Sequence, residues 1–432
     1  MKIYMVSLGC AKNQVDSEMI LGTCKSMVEL CDDPNEADLI LINTCAFIES
    51  ARREAIDTIL SLSDYKNAKL VVCGCLPQRY KDELANLLPE VDRFVTIDEY
   101  QNLPQIIDSV LASKYQSYND FSPLNRIYST PSYMRYVKIS EGCMNRCAFC
   151  AIPLIRGTLK SRTIESIVEE VKMHVNDGVY EINLISQDTT NYGYDLYDRL
   201  AIVELLSQIV AIDGDFKVRL LYLYPDLVTD ELIDFIKKNP KIMPYFDIPI
   251  QHSEDKLLKA MSRRGNKAYL LELMKKIRTE IPHAVIRTTL IVGFPYENNK
   301  DVNNLIDFMN EVEFDRLGAF TFCLEEDTKA CEYPNVIKES TKQKRYEKVM
   351  QVQSEISLNK NRKLIGKTLD DVFIIGYDEG NFMYLARNYM FAPDDIDGCI
   401  YVAAAYELEI GQRVKVKVLD CDEYCLTCQQ VE

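Results

Sequence analysis

No stretch of this sequence stays apolar for the ~18 residues that a membrane-spanning helix needs, so a spanning helix is not expected. The first ten residues, Met1-Lys-Ile-Tyr-Met-Val-Ser-Leu-Gly-Cys10, contain neither an apolar secretory core nor a small-residue cleavage site. Positive charge is also scarce. Fifty Lys and Arg face 66 Asp and Glu, a formal net charge of −16. A protein that works mainly by neutralising phosphates is not built this way, whereas a basic protein partner suits it. Cysteine is not scarce, but its 15 copies are an odd number spread over 432 residues. That argues against a secreted disulfide framework and for metal ligands in a reducing compartment. The expectation is a soluble, cytoplasmic protein with no membrane partner. With 47% hydrophobic residues it has ample material for two to four packed domains.

Three of the cysteines lie within eight residues, Cys143-Met-Asn-Arg-Cys147-Ala-Phe-Cys150. Thiolates are soft ligands suited to zinc, copper(I) or iron–sulfur clusters. A closed zinc site wants a fourth ligand nearby, and the nearest downstream His or Cys is His174. A [4Fe–4S] cluster can be held by three thiolates, leaving one iron open. The plain alternative is buried core cysteines, which the tight spacing and interleaved polar residues disfavour. The segment Glu141-Gly-Cys…Cys-Ala-Phe-Cys-Ala-Ile-Pro153 resembles the radical S-adenosylmethionine (SAM) superfamily. The resemblance implies that SAM chelates the open iron and that an electron from the cluster cleaves it to a 5′-deoxyadenosyl radical.

The first ~110 residues alternate strand and helix. Strands are expected at Lys2–Leu8, Asp38–Asn43 and Lys69–Val72, and helices at Val15–Leu30, Ser50–Leu62 and Pro77–Leu88. This pattern predicts an open α/β sheet, flavodoxin-like, over residues 1–114. A cysteine follows each strand: Cys10, Cys45 and Cys75. Ligands gather beyond the carboxyl ends of parallel strands, so these three thiols are expected to converge. Cys73 competes with Cys75; Gly74 favours Cys75, because the chain can turn there and lift the next residue out of the sheet. Cys24 and Cys31 read as core or incidental. Ser7-Leu-Gly-Cys-Ala-Lys-Asn-Gln-Val-Asp-Ser-Glu18, Ile42-Asn-Thr-Cys45 and Gly74-Cys-Leu-Pro-Gln-Arg-Tyr80 are similar to the N-terminal domain of the methylthiotransferases. There the three cysteines hold a second [4Fe–4S] cluster, which carries the sulfur to be inserted. Asn13, Asp16 and Ser17 also match, with helix capping as their plain alternative.

Residues 115–134, rich in Ser, Pro, Asn and Tyr, read as a linker. From 135 to 362 the strand–helix alternation resumes, with strands expected at Tyr136–Ile139, Glu181–Ile185, Lys217–Leu223, Tyr245–Ile248, Ala284–Leu290 and Leu317–Phe322. Helices are expected at Thr163–Asp177, Leu196–Ile212, Asp230–Lys238, Lys267–Glu280 and Lys300–Val312. This predicts a partial (βα) barrel of radical SAM type, with active residues on loops at the strand C-termini. Gln187 and Asp188 follow the second strand and are expected at the amino group of SAM. Gln251 and His252 match a Gln-His-Ser motif near the ribose or substrate. Arg287 and Gly293 belong to the segment closing the fifth strand, where Gly293 would let the backbone approach an adenine. Tyr296 stands where the family has Gly. Arg263 and Arg264 read as an anion contact or a solvated helix end.

Arg219-Leu-Leu-Tyr-Leu-Tyr-Pro225 and Asn183-Leu-Ile-Ser-Gln-Asp-Thr-Thr190 are similar to the methylthiotransferases that modify a ribosomal protein rather than tRNA. The implied reaction places a methylthio group on the β-carbon of an aspartate in small-subunit ribosomal protein 12. It uses two SAM molecules and an electron donor protein.

Residues 363–432 turn all-β. Short strands are expected at Asp371–Ile375, Phe382–Ala386, Ile400–Val402, Leu408–Ile410 and Arg413–Leu419, forming a small barrel in the place of the TRAM domain. Six basic residues there face thirteen acidic ones, a net −7. Nucleic acid is therefore not the expected primary partner; a Lys/Arg-rich ribosomal protein is. Cys421-Asp-Glu-Tyr-Cys-Leu-Thr-Cys428 repeats the spacing of the central motif without its leading Gly, and is read as adventitious rather than a third centre. A tRNA methylthiotransferase and a non-catalytic metal-binding adaptor are the alternatives.

Overall fold

The computed structural model describes residues 1–24, 29–112, 119–334, 336–394 and 396–431. The first unit is a parallel sheet of β1 (Lys2–Ser7), β2 (Glu29–Leu30), β3 (Leu39–Thr44), β4 (Lys69–Gly74) and β5 (Arg93–Val95), in the order β2-β1-β3-β4-β5. This is the flavodoxin-like order, whose switch point falls between β1 and β3. β3 reads Leu-Ile-Leu-Ile-Asn-Thr and is buried at all six positions, as a strand covered on both faces must be. Helices α1 (Ala11–Thr23), α2 (Glu49–Leu62), α3 (Cys75–Leu87) and α4 (Leu103–Leu111) cover the sheet. α1 stops at Thr23, short of the expected Leu30, and Glu29–Leu30 instead adds the edge strand β2.

Of the expected linker, residues 115–118 lie outside the described residues. From 119 onward it is stitched to both neighbours. Arg126 is buried, pairs with Glu18 of α1 at 2.5 Å, and reaches Glu170 at 2.9 Å and the Tyr136 carbonyl at 2.8 Å.

The central unit has six parallel strands: β6 (Met134–Lys138), β9 (Glu181–Ile185), β10 (Lys217–Leu220), β11 (Tyr245–Asp247), β12 (Val285–Val292) and β13 (Arg316–Thr321). Between β6 and β9 lies a small antiparallel pair, β7 (Ser140–Glu141) with β8 (Lys160–Ser161). The sheets β6-β9-β10 and β11-β12-β13 join where Val218 bridges Ile242, giving an open barrel. Its helices are α5 (Ile152–Arg156), α6 (Ile164–Asn176), α7 (Tyr194–Tyr197), α8 (Ile202–Val210), α9 (Asp230–Lys238), α10 (Asp255–Ala260), α11 (Lys267–Glu280), α12 (Asn299–Val312) and α13 (Glu339–Arg362). Thr163, Thr229, Asn266 and Asn298 cap their helices through side-chain oxygens, each satisfying an otherwise unpaired amide. The expected helix 196–212 is broken in two, because Asp198 takes a left-handed conformation after α7.

α13 was not predicted from the sequence. Its 24 residues are mostly polar, and only Val349 and Ile356 are apolar among those it buries. It anchors through polar groups instead: Lys342 donates to the Phe322 carbonyl at 2.7 Å and Gln353 to that of Phe314 at 3.0 Å.

The last unit is a closed barrel of β14 (Thr368–Asp378), β15 (Met383–Arg387), β16 (Ile400–Ala403), β17 (Arg413–Cys421) and β18 (Leu426–Val431), in the order β14-β15-β16-β18-β17. The expected strand 408–410 does not form, although Leu408 is buried in the barrel. The closing strand is β18, which pairs with β16 in parallel and with β17 antiparallel. The segment between β15 and β16 docks on the central barrel. There Asp394 accepts from Tyr136 Oη, and Asp397 from Tyr245 Oη and from Arg287 Nε at 3.2 Å.

Candidate functional site

The three N-terminal cysteines occupy the carboxyl edge of the first sheet. Cys10 immediately precedes α1, Cys45 follows β3, and Cys75 is the first residue of α3. Two glycines let the chain pack this closely. Gly9 has φ +92°, and a Cβ there would lie 2.7 Å from Cys45 Cβ. Gly74 has φ +100°, and a Cβ there would meet Asn43 Oδ1 at 2.3 Å. Gly74 also sends Cys73 and Cys75 different ways. Cys73 packs wholly buried in the layer containing Ile3 and Val95, while the Cys75 sulfur lies 3.6 Å from Asn13 Oδ1. Burial pushes the Cys45 thiol up to about 11, with Cys75 and Cys10 adding to the rise. Burial also raises Cys75, against the pull of Arg156.

Asn13, Asp16 and Ser17 do not cap α1, which has no side-chain cap. Asn13 donates to the carbonyls of Leu8 (2.9 Å) and Thr44 (3.0 Å), fastening the Cys10 loop to the end of β3. Ser17 bonds Ser7 Oγ at 2.8 Å and accepts from Asn43 at 2.9 Å. Asp16 leaves its own domain and pairs with Lys138 and Arg156.

The central cysteines lie on the loop that leads from β7 to α5. Gly142 (φ +72°) and Arg146 (φ +45°) turn this loop left-handed on both sides of Cys143. The Cys143 amide donates to Gly157 O at 3.2 Å, that of Ala148 to Met261 O at 2.9 Å, and that of Cys150 to Cys147 O at 3.0 Å. Burial pushes the Cys143 thiol up to about 11 and raises Cys150, whose neighbours Cys147 and Cys143 add to it. Arg263 lies 3.7 Å from the Cys147 sulfur and stacks on Tyr224 at 4.1 Å. Arg264 instead pairs with Asp226 at 2.7 Å.

Arg156, six residues beyond Cys150, connects the two groups. Buried at the end of α5, it donates to Asn13 Oδ1 at 2.5 Å, Asp16 at 2.7 Å and Glu141 at 3.1 Å, and lies 3.4 Å from the Cys75 sulfur. From the other side Lys12, two residues beyond Cys10, donates to Ser186 O at 3.1 Å and sits 3.7 Å from the Tyr222 ring centre. Burial alone would raise Glu141, but Lys138 and Arg156 hold its carboxyl far below the usual range. The sequence did not single out Arg156, Lys12 or Glu141: Arg156 and Lys12 reach partners across the domain boundary, and Glu141 meets Lys138, Arg156 and Gln187 only once the central barrel has folded. Nearby, Glu325 accepts from Arg52 and from Arg79 (3.0 Å), clamping α2 and α3 to the loop after β13.

The remaining predicted residues fall into two groups. Asp188 is buried beside the cysteine loop. It accepts from Asn145 at 2.6 Å and Thr190 at 2.6 Å, and burial raises its carboxyl. Gln187 donates to Glu141 at 2.7 Å while its Oε1 is buried with no partner among the described residues. Gln251, at φ +68°, likewise carries a buried, unpartnered Oε1. Two carbonyl oxygens left unsatisfied at strand ends call for a donor. The second group is engaged otherwise. Arg287 pairs with Asp247 at 2.9 Å and with Asp397. Gly293 faces Lys342, 2.4 Å from where a Cβ would sit, and its amide donates to Glu297 at 2.9 Å. Its glycine therefore answers to α13. His252 is wholly buried, with Nδ1 accepting from the amides of Ser253 (2.9 Å) and Glu254 (3.0 Å). Tyr296 adopts φ +73°, a left-handed conformation that glycine takes without strain.

The C-terminal cysteine pattern does not assemble. Cys428 points into the barrel core, fully buried, while Cys425 meets Cys399, with 3.6 Å between sulfurs.

The donor sets at the two remaining groups suit an iron–sulfur cluster. They are all thiol, held by glycine-shaped loops, with Arg and Lys groups placed to balance negative charge. Among the described residues no three His, Cys, Asp or Glu side chains close around a point as one bare ion requires. Cluster thiolates bind separate irons and stand further apart. No helix among the described residues is long and apolar enough to cross a membrane.

Known proteins agree with this architecture. Residues 2–96 match the profile of Uncharacterized protein family UPF0004, residues 137–309 the Radical SAM superfamily, and residues 365–431 the TRAM domain. The radical SAM methyltransferase TsrM from Kitasatospora setae shares the fold with a TM-score of 0.56 at 13% identity, over 74% of each chain. Ribosomal protein uS12 methylthiotransferase RimO of Geobacter sulfurreducens is 43% identical, covering 98% of this chain and 97% of its own. That of Clostridioides difficile is 45% identical, covering 99% and 98%. With domains, order and sequence shared from end to end, this chain belongs to the ribosomal protein uS12 methylthiotransferase RimO family of radical SAM proteins.

Proposed function

We propose that this chain inserts a methylthio group at the β-carbon of an aspartate in ribosomal protein uS12, with SAM serving as methyl donor and as radical source. One observation carries the reading: Arg156, six residues beyond Cys150 on the chain, crosses the domain interface to Asp16 and the Cys75 sulfur, and both cysteine sets follow strand carboxyl ends. In this reading Cys143, Cys147 and Cys150 hold a [4Fe–4S] cluster with one iron left for SAM, and Cys10, Cys45 and Cys75 hold a second. When bound, the first cluster supplies the electron that cleaves SAM and the second supplies the sulfur, chemistry that side chains cannot perform on an unactivated C–H bond.

The chain's own residues bind, orient and shield. Asp188, kept in place by Asn145 and Thr190, offers a carboxylate to the amino group of SAM, and the unpartnered oxygens of Gln187 and Gln251 offer further acceptors. Arg263 lends positive charge beside Cys147, and Arg156 does so beside Cys75, where it opposes the burial that raises the thiol. Fixing both groups to one rigid interface, with Arg156, Lys12 and Glu325 as fasteners, holds the reacting centres in register. Arg287 and Gly293 act as supports rather than as SAM contacts.

The acidic C-terminal barrel favours a basic protein over tRNA. Arg387 is buried against Glu181 at 2.6 Å and Asp397 against Arg287, so the barrel's remaining charge stays strongly negative. Anaerobic turnover with SAM, offering uS12 and tRNA side by side, tests the reading. A mass gain of one methylthio group on uS12 is expected. A gain on tRNA alone would assign the chain to the tRNA reaction, and a preparation left colourless by iron and sulfide would make it an adaptor.

A further inference from the structure

Two of the cysteines that the proposed reaction leaves unused form a pair of their own. Cys399 and Cys425 immediately precede β16 and β18, which run parallel with Ile400 opposite Leu426. One step back, the same register sets Cys399 opposite Cys425, and the Leu426 amide donates to Cys399 O at 3.1 Å. The sulfurs are 3.6 Å apart, in contact but not bonded. Neighbouring strands lie roughly 4.8 Å apart, within the reach of a disulfide.

The approach is built by the backbone. Gly398 has φ +87°, and a Cβ there would lie 2.3 Å from Tyr424 O, so only glycine admits the two segments this close. Opposite it, Asp422 Oδ1 accepts from the amides of Tyr424 (2.7 Å) and Cys425 (2.6 Å), and the Asp422 amide donates to Cys425 O at 3.1 Å. Both sulfurs are partly exposed, unlike the sealed Cys428. The hydrogen bond with Cys399 draws the Cys425 thiol down to about 7, against its burial and with help from Arg316. A thiolate at neutral pH beside a second thiol is what exchange requires.

We propose that Cys399 and Cys425 form a thiol–disulfide exchange site whose oxidant is a low-molecular-weight disulfide. The Cys425 thiolate attacks one sulfur of that disulfide, its S–S bond breaks, and one thiolate leaves. Cys399, losing its proton, then attacks the Cys425 sulfur and expels the second thiolate. The two cysteines are oxidised by two electrons and the small disulfide becomes two thiols, which take up the two protons; a dithiol reductant reverses the sequence. The new bond ties β18 to the end of the segment that carries Asp394 and Asp397 to the central barrel. This site does not depend on the methylthio reaction.

The test uses the full chain, reconstituted anaerobically with iron and sulfide and equilibrated in stepped ratios of reduced to oxidised glutathione. Remaining thiols are alkylated and the peptides read by mass spectrometry. The expected product is a Cys399–Cys425 cross-link, lighter by two hydrogens, formed where Cys421 and Cys428 are still alkylated and reversed by dithiothreitol. Cys399→Ser should stop the sequence at a glutathione adduct on Cys425. Alkylation of both thiols at every ratio, equal cross-linking of Cys425 to Cys421 or Cys428, or no adduct in Cys399→Ser would each overturn the proposal.

Discussion

Two stretches of this chain share one cysteine spacing and diverge in three dimensions. In 143–150 the backbone is turned left-handed by Gly142 and Arg146, and the loop keeps its thiols together beyond the strands. In 421–428 the same spacing runs through a hairpin into β18, where strand alternation sends Cys428 inward. The N-terminal cysteines show the converse, with no spacing pattern at all, yet gathered because three neighbouring parallel strands end at one edge. Spacing therefore marks a ligand group only where the backbone between the ligands is irregular; within a strand, side chains alternate between faces whatever the motif.

The comparison can be broken most sharply at the ligands. Cys147→Ala should abolish turnover and remove about half of the iron bound by the reconstituted protein, one of two proposed clusters. Cys428→Ala should leave iron unchanged, and an equal loss of iron there would erase the distinction. Next in size is Arg156→Ala, which takes a buried cation from Asp16 and Glu141 and leaves both to share Lys138. A loss of about 3–5 kcal/mol in denaturant unfolding is expected, together with an altered EPR spectrum of the N-terminal cluster. Gly74→Ala forces a Cβ onto Asn43 at a left-handed position, so a loss of about 3 kcal/mol and weaker iron binding at Cys75 are expected. Cys428→Ala should lower the stability of the barrel by only about 1 kcal/mol. Smallest is the labelling profile of Cys425. Its alkylation rate should rise through pH 7, whereas ordinary thiols titrate near about 8.5. Cys399→Ala, by removing the hydrogen bond that favours the thiolate, should move the midpoint upward.

Much of this was legible from residue order. The strands at Glu181–Ile185 and the helices at Asp230–Lys238 and Lys267–Glu280 match their expected bounds, because apolar periodicity and caps coincide there. α13 escaped, since polar side chains anchor it and give no apolar stripe. β18 escaped because 421–428 was read as an adventitious repeat of the cysteine spacing rather than as strand. Gln187, Asp188 and Gln251, proposed as SAM contacts, were picked out from their places after strands. The employment of Arg287 by Asp247 and Asp397, and of Gly293 by Lys342, was not.

By itself the sequence determined the three-part organisation, the six thiols proposed as ligands and the acidic balance, because hydrophobic period, motif spacing and charge are properties of residue order. Only the tertiary structure decided that Arg156 and Lys12 fasten the N-terminal unit to the central one, and that Cys399 faces Cys425. These are contacts between residues distant in the chain, and they follow from strand order, register and the few glycines that let backbones approach.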